Sequence, residues 1–154
     1  MSTIYQLPIV LHEEGLDDKL AETLNIWSRS PSLDAWKQIV ERVLHPKHEV
    51  RIAVVGKYVN LVDSYKSLHE ALLHGGLIHD CKVVLEYIDS EKLEIDEALL
   101  ARVATADGIL VPGGFGERGI EGMIKAAQVA REKSIPYFGI CLGLQIAVIE
   151  FARN

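Results

Sequence analysis

The stretch Ile135-Pro136-Tyr137-Phe138-Gly139-Ile140-Cys141-Leu142-Gly143-Leu144-Gln145 decides how the rest of the chain reads. Residues 135–140 form a short apolar run with β-branched and aromatic members, the pattern of a buried strand. Residues 142–152 continue as an apolar helix. A cysteine stands on the turn between them, with glycines two residues before and after it. This is the thiol counterpart of the Gly-x-Ser-x-Gly nucleophile elbow, whose tight strand-to-helix turn demands small flanking residues. The helix that follows aims free N–H groups and its positive dipole end at the sulfur, which favours a thiolate. The N–H of Leu142 can donate to an oxyanion. Gln145 lies one helical turn further on, on the face of Cys141. The same residues also suit an apolar cysteine packed beneath a helix, so taken alone the pattern leaves both roles open. Cys81 opens a strand without a glycine frame and reads as structural.

Upstream, the same alternation repeats. An apolar run over residues 50–55 ends at Gly56. A helix is expected over 64–79, with Leu68, Ala71 and Leu72 on one side and Gly75-Gly76 weakening its end. Strands follow over 81–88 and 108–111, and helices over 93–103 and 120–133. Four strand–helix units with apolar, unalternating strands predict an α/β fold, a parallel sheet with helices on both faces. In such sheets the chemistry gathers at the carboxyl ends of the strands. The places to inspect are therefore Gly56-Lys57-Tyr58, residues 112–119 and Cys141. The sequence closes at Asn154 directly after an apolar helix, without a glycine or proline stop signal. The domain reads as interrupted.

The first fifty residues follow a different rhythm. Residues 1–11 read as extended, with Pro8 against a helix. Residues 15–25 suggest a short helix. Ser30-Pro31 would start another, with serine as cap and proline at the first helical position. Its apolar stripe is Leu33, Trp36, Ile39, Val40, Val43 and Leu44. His45-Pro46-Lys47-His48-Glu49 reads as a linker.

Pro112-Gly113-Gly114-Phe115-Gly116-Glu117-Arg118-Gly119 follows the third strand. Glycines there let backbone N–H groups converge on an anion or oxyanion. Gly114, Gly116 and Gly119 also satisfy the Gly-x-Gly-x-x-Gly spacing. The dinucleotide fingerprint, however, belongs in a first strand–helix turn with an acidic residue closing the next strand, and here the next strand ends at Cys141. For Gly119 a turn that needs glycine is the simpler reading. A thiol nucleophile also needs a base. His12-Glu13-Glu14 has a His-x-Glu spacing but lies in the N-terminal segment, and reads as a solvated face.

Composition bounds the rest. The chain has 154 residues, 16 Lys plus Arg against 22 Asp plus Glu, and a net charge of −6. Hydrophobic residues make up 49%, enough to fill a core. The acidic balance argues against nucleic-acid binding, because phosphate neutralisation needs clustered Lys and Arg. No apolar run is long enough for a bilayer, and no signal-peptide pattern opens the chain. The two cysteines make no disulfide framework. All six histidines precede Cys141 and no zinc-ligand spacing is present, so no metal is expected. A reducing, cytoplasmic location follows.

Around Cys141 the heptad from Gly139 to Gln145 resembles the class I, triad-type glutamine amidotransferases, a flavodoxin-like α/β family. Other stretches resemble the CTP synthase family more narrowly. These are Val55-Gly56-Lys57-Tyr58, the run Asp63-Ser64-Tyr65-Lys66-Ser67-Leu68-His69-Glu70-Ala71-Leu72, and Pro112 through Gly122 (PGGFGERGIEG). Ile4-Tyr5-Gln6-Leu7-Pro8 and His12-Glu13-Glu14-Gly15-Leu16-Asp17 share that likeness. The resemblance implies that residues 1–48 are the tail of a synthetase domain with a linker, and that 49–154 are the first part of a glutaminase domain. It implies Cys141 as nucleophile, an oxyanion held by the N–H groups of Gly114 and Leu142, and glutamine seated by Phe115 and Gln145. Arg118, Gly119 and Glu121 match positions near a GTP activator. The resemblance further implies ATP-dependent conversion of UTP to CTP, with ATP and Mg2+ in a synthetase domain outside these residues. It also implies a homo-oligomeric, tetrameric parent and a histidine and glutamate beyond Asn154 that complete the triad. On that basis the 154 residues alone would be inactive. The other readings are a different class I amidotransferase or a nucleotide-binding module using the glycines from Gly114 to Gly119.

Overall fold

The computed structural model describes residues 1–27, 29–59 and 62–154, with the side chain of residue 62 left aside. It divides into two compact units: Met1–His48 with Gly76–Lys82, and Glu49–Gly75 with Val83–Asn154.

In the first unit the amino terminus is helical, not extended. A 3-10 turn at Ile4–Gln6 leads into α1 (Leu7–Glu13), and Pro8 sits in its first turn. Proline is tolerated there because first-turn N–H groups have no intrahelical acceptor to lose. Gly15, at φ 77°, then lets the chain turn into α2 (Leu16–Thr23). The next helix, α3 (Asp34–Leu44), begins three residues later than Ser30-Pro31 suggested. Its N-cap is Leu33, and the Ser32 hydroxyl bonds to Asp34 Oδ2 at 3.0 Å instead. Arg42 and Lys47 both meet the carboxylate of Asp80, at 3.2 and 2.9 Å, and Lys47 foremost holds that acid below its usual range.

The second unit carries the sheet. Strand β1 (His48–Gly56) starts inside the expected linker and takes up the apolar run at its end. A 3-10 turn at Val62–Tyr65 precedes α4 (Lys66–Ile78), and β2 (Cys81–Asp89) follows. The expected helix over 93–103 is two pieces, α5 (Ser90–Leu93) and α6 (Glu97–Val103). Asp89 and Asp96 each cap one piece by accepting a backbone N–H, from Glu91 at 2.9 Å and Leu99 at 3.0 Å. Strand β3 (Gly108–Val111), α7 (Ile120–Lys133), β4 (Tyr137–Gly139) and α8 (Leu142–Arg153) complete the alternation. Strand β4 is shorter than the apolar run, because Pro136 offers only its carbonyl, which Ile109 N–H takes at 2.9 Å.

The strand order is β2-β1-β3-β4, with β1–β3 and β3–β4 paired in parallel. Successive strand residues face opposite sides. Ala53, Val55, Ile109 and Val111 pack with Met123, Ile124, Ala127 and Ile146 of α7 and α8. On the other side Leu72 of α4 shares a groove with Ile52, Leu110 and Phe138. The helices α7 and α8 are tied by Arg131, which grips the buried Glu150 carboxylate through Nε at 3.1 Å to both oxygens and Nη2 at 2.8 Å. Among the described residues no helix is long and apolar enough to cross a membrane.

Candidate active site

Strands β3 and β4 are neighbours in register, Val111 opposite Gly139. Their carboxyl ends therefore deliver the glycine loop and the cysteine turn side by side. Cys141 is the N-cap of α8, with φ 51° and ψ −103°. A side-chain-bearing residue pays for a positive φ, and such strain concentrates at functional turns. The glycine frame is required by close approach. A Cβ at residue 139 would come within 2.6 Å of Leu144 N, and one at 143 within 2.9 Å of the Val111 carbonyl carbon. The turn is closed by Gly143 N–H to Ile140 O at 2.9 Å and Leu144 N–H to Cys141 O at 3.1 Å. The Tyr137 hydroxyl donates to Gly143 O at 2.8 Å, and burial pushes that phenol well above its ordinary range. The Cys141 side chain is exposed, so the packed-cysteine alternative does not hold for it.

Gly113 and Gly114 approach this turn from β3. A Cβ at Gly113 would stand 3.8 Å from Cys141 Cβ, and one at Gly114 would stand 3.2 Å from Leu142 Cδ2. Among the described residues, neither the Gly114 nor the Leu142 N–H has a backbone acceptor. A cavity of about 460 Å³ opens here, lined by Tyr58, Ser64, Tyr65, Gly113, Gly114, Phe115 and Cys141. Phe115 is 85% exposed at its mouth. Gln145 is also exposed, one turn along α8, and its N–H donates to Cys141 O at 3.2 Å.

The remaining expected site residues lie apart from this cavity lining. Arg118 pairs with Glu91 at 3.0 Å. Gly119, at φ 70°, is the N-cap of α7 and presses on Ser90, whose Cβ would lie 3.1 Å from a Cβ at 119. Glu121 is paired with Arg153 at 2.9 Å, and that guanidinium holds its carboxyl below the usual range. Among the described residues no histidine, carboxylate or lysine lines the cavity. His12 Nδ1 is bonded to Asp17 Oδ2 at 2.6 Å, and His69 Nδ1 faces the Tyr87 hydroxyl at 3.3 Å. Among the described residues no group of three or more His, Cys, Asp or Glu side chains could hold a metal ion.

Three contributors had little sequence signal. Lys57 is buried and reaches into the glycine loop, donating to Phe115 O at 2.9 Å and to Gly116 O. The sequence marks Gly56-Lys57-Tyr58 as a strand end to inspect, but gives Lys57 no role there. The Tyr65 hydroxyl accepts the Tyr58 N–H at 3.3 Å and would stand 2.5 Å from a Cβ at Gly56. Tyr137 read only as a strand aromatic.

Comparison with known proteins agrees with this geometry. The family model described as Glutamine amidotransferase class-I matches residues 60–154. The chain is 57% identical over its whole length to the CTP synthase of Syntrophus aciditrophicus (strain SB), and spans 28% of that protein. It is 59% identical over 152 residues, 98% of the chain, to the CTP synthase of Geotalea uraniireducens (strain Rf4), again 28% of the relative. Among solved structures it is similar to the Trypanosoma brucei CTPS glutaminase domain with bound acivicin. That match has 46% identity and a TM-score of 0.64, and covers 68% of this chain and 41% of the other. The elbow at Cys141, the sheet order and the family match together establish that the chain belongs to the class-I glutamine amidotransferase family.

Proposed function

We propose that this chain carries the nucleophile-bearing part of the glutaminase in a CTP synthase. The observation that carries the reading is Cys141, exposed on a strained strand–helix turn beside Gly113 and Gly114. In the proposed reaction the Cys141 sulfur, as thiolate, attacks the carboxamide carbon of glutamine. The carbonyl π electrons move onto oxygen, and the N–H groups of Gly114 and Leu142 receive that oxyanion. Collapse breaks the C–N bond as the nitrogen takes a proton and leaves as ammonia. Water then attacks the thioester, releasing glutamate and restoring the thiol. Phe115 at the cavity mouth and Gln145 along α8 seat the substrate. The proton transfers are assigned to a histidine and glutamate outside these residues; among the described residues the cavity lining holds no histidine or carboxylate.

Ammonia would pass to an ATP- and Mg2+-dependent synthetase portion that aminates UTP to CTP, in a homo-oligomeric cytoplasmic enzyme. Residues 1–48 would be the tail of that portion and the linker. Arg118, Gly119 and Glu121 are proposed to border a GTP activator site. To meet a nucleotide, Arg118 and Glu121 must exchange their present partners Glu91 and Arg153 for it.

The test is ammonia release from glutamine by the full-length protein. Cys141→Ala should abolish it while leaving synthesis from added ammonium salt intact. Glutamine hydrolysis that survives Cys141→Ala overturns the assignment.

A further inference from the structure

Lys57 is the residue whose chemistry and location fit each other least. An ammonium normally stays in water, yet Lys57 is 6% exposed, just past the end of β1. Burial, with the nearby Arg118 charge, holds its proton affinity below the ordinary lysine range, opposed in part by Glu91. Its Nζ donates to Phe115 O at 2.9 Å and to Gly116 O. Its stem runs beneath Gly114, where a Cβ would meet Lys57 Cδ at 3.7 Å and Cε at 3.8 Å. Gly116 adopts φ 75°. Two successive carbonyls therefore converge on one point, and their like dipoles repel unless a cation stands between them. Lysine supplies that cation and three donors on a flexible stem. A peptide unit is planar, so fixing these two carbonyls also fixes the N–H groups of Gly116 and Glu117 opposite them; with the lysine stem packed beneath Gly114, the loop is held on both sides of the Gly114–Phe115 peptide.

We infer that Lys57 is a positioning residue for glutamine hydrolysis: by clamping the carbonyls of Phe115 and Gly116 it holds the Gly114 N–H in the orientation an oxyanion at Cys141 requires. The inference rests on the proposed roles of Cys141 and Gly114. It adds a residue from a third strand end, which touches neither the nucleophile nor the substrate carbonyl. Without the ammonium, the converging carbonyls are free to flip outward to water. The Gly114 donor is then displaced, while Tyr58, Ser64, Tyr65 and Cys141 of the cavity lining stay in place. Misplacement of a catalytic group by about 1 Å costs roughly 100-fold in rate.

The experiment compares wild type, Lys57→Met and Lys57→Gln in the full-length protein. Glutamine kinetics are measured alongside alkylation of Cys141 by iodoacetamide, a displacement that forms no oxyanion. Lys57→Met should lower kcat for glutamine by about 10- to 100-fold, with KM within about threefold and the alkylation rate unchanged. Lys57→Gln, which keeps a neutral donor, should retain more turnover than Lys57→Met. If Lys57→Met fails to fold, Lys57→Gln against wild type makes the same comparison. Unchanged kcat in a folded variant, or equal losses in kcat and alkylation, overturns the positioning role alone. A wild type that releases no ammonia, or activity surviving Cys141→Ala, overturns the glutaminase reading and this inference with it.

Discussion

The peptide of Val111 lies against Gly143: its carbonyl carbon is 2.9 Å from the point where a Cβ at residue 143 would stand, and its oxygen is nearer still. The end of β3 and the first turn of α8 are thus in backbone contact, and this fixes the distance between the glycine loop and Cys141. Gly143→Ala has no flexible side chain to push aside. It should destabilise the fold by about 3 kcal/mol, the upper part of the range for overpacking. Urea denaturation with full-length protein checks this, and an unchanged midpoint refutes the close approach.

The two cysteines should differ in reactivity. Cys141 is exposed at a helix N-terminus, whereas the Cys81 thiol is partly covered and donates to His79 O at 3.3 Å. A glutamine-analogue electrophile should label Cys141 first in the full-length protein. Peptide mapping decides this, and equal labelling of Cys81 counts against the nucleophile assignment.

Gly114→Pro removes the N–H proposed to meet the oxyanion. Turnover should fall by ~100- to 1,000-fold with a smaller change in KM. Gly114→Ala keeps the donor and asks only a Leu142 methyl, 3.2 Å from the new Cβ, to move. It should stay within about tenfold of wild type. A folded proline variant, checked by circular dichroism, with normal turnover rules Gly114 out.

Tyr137 should make the fold sensitive to alkali. Burial raises this phenol, as it does Tyr65 and Tyr87. Unfolded tyrosine ionises near pH ~10, while the folded group keeps its proton. Above that pH the unfolded state binds fewer protons, so stability falls as pH rises; below it these groups contribute no slope. Tyr137→Phe should flatten the decline between about pH 10 and about pH 12. It should also cost about 1 kcal/mol at neutral pH for the lost bond to Gly143 O. The urea midpoint followed against pH measures both, and an unaltered slope rejects the assignment.

The 154 residues expressed alone should release little ammonia from glutamine. Among the described residues no histidine or carboxylate lines the Cys141 cavity, and His12 and His69 are engaged by Asp17 and Tyr87. General acid–base catalysis of this kind is worth ~100- to 10,000-fold. Adding back the remainder of the protein should restore turnover. A rate near that of the full-length protein from these residues alone would direct attention to His12, His69 and His74.

The strand–helix alternation, the bounds of α7 and the elbow at Cys141 were legible in the sequence alone. Each is written in neighbouring residues: apolar runs, glycines at fixed offsets, and a cysteine between strand and helix. Local signals misled where a weak rule met a compatible context. Pro8 suggested an extended segment, yet proline fits a first helical turn. Ser30-Pro31 looked like a helix start, yet α3 begins at Asp34. Residues 93–103 read as one helix because Asp96 as an internal cap is invisible until the chain bends there. Only the tertiary structure decided the order β2-β1-β3-β4, and with it the place of Lys57. Periodicity reports which face of a strand is buried but not which strand lies beside it. The carbonyls that Lys57 holds are 58 and 59 residues away, beyond the reach of any local pattern.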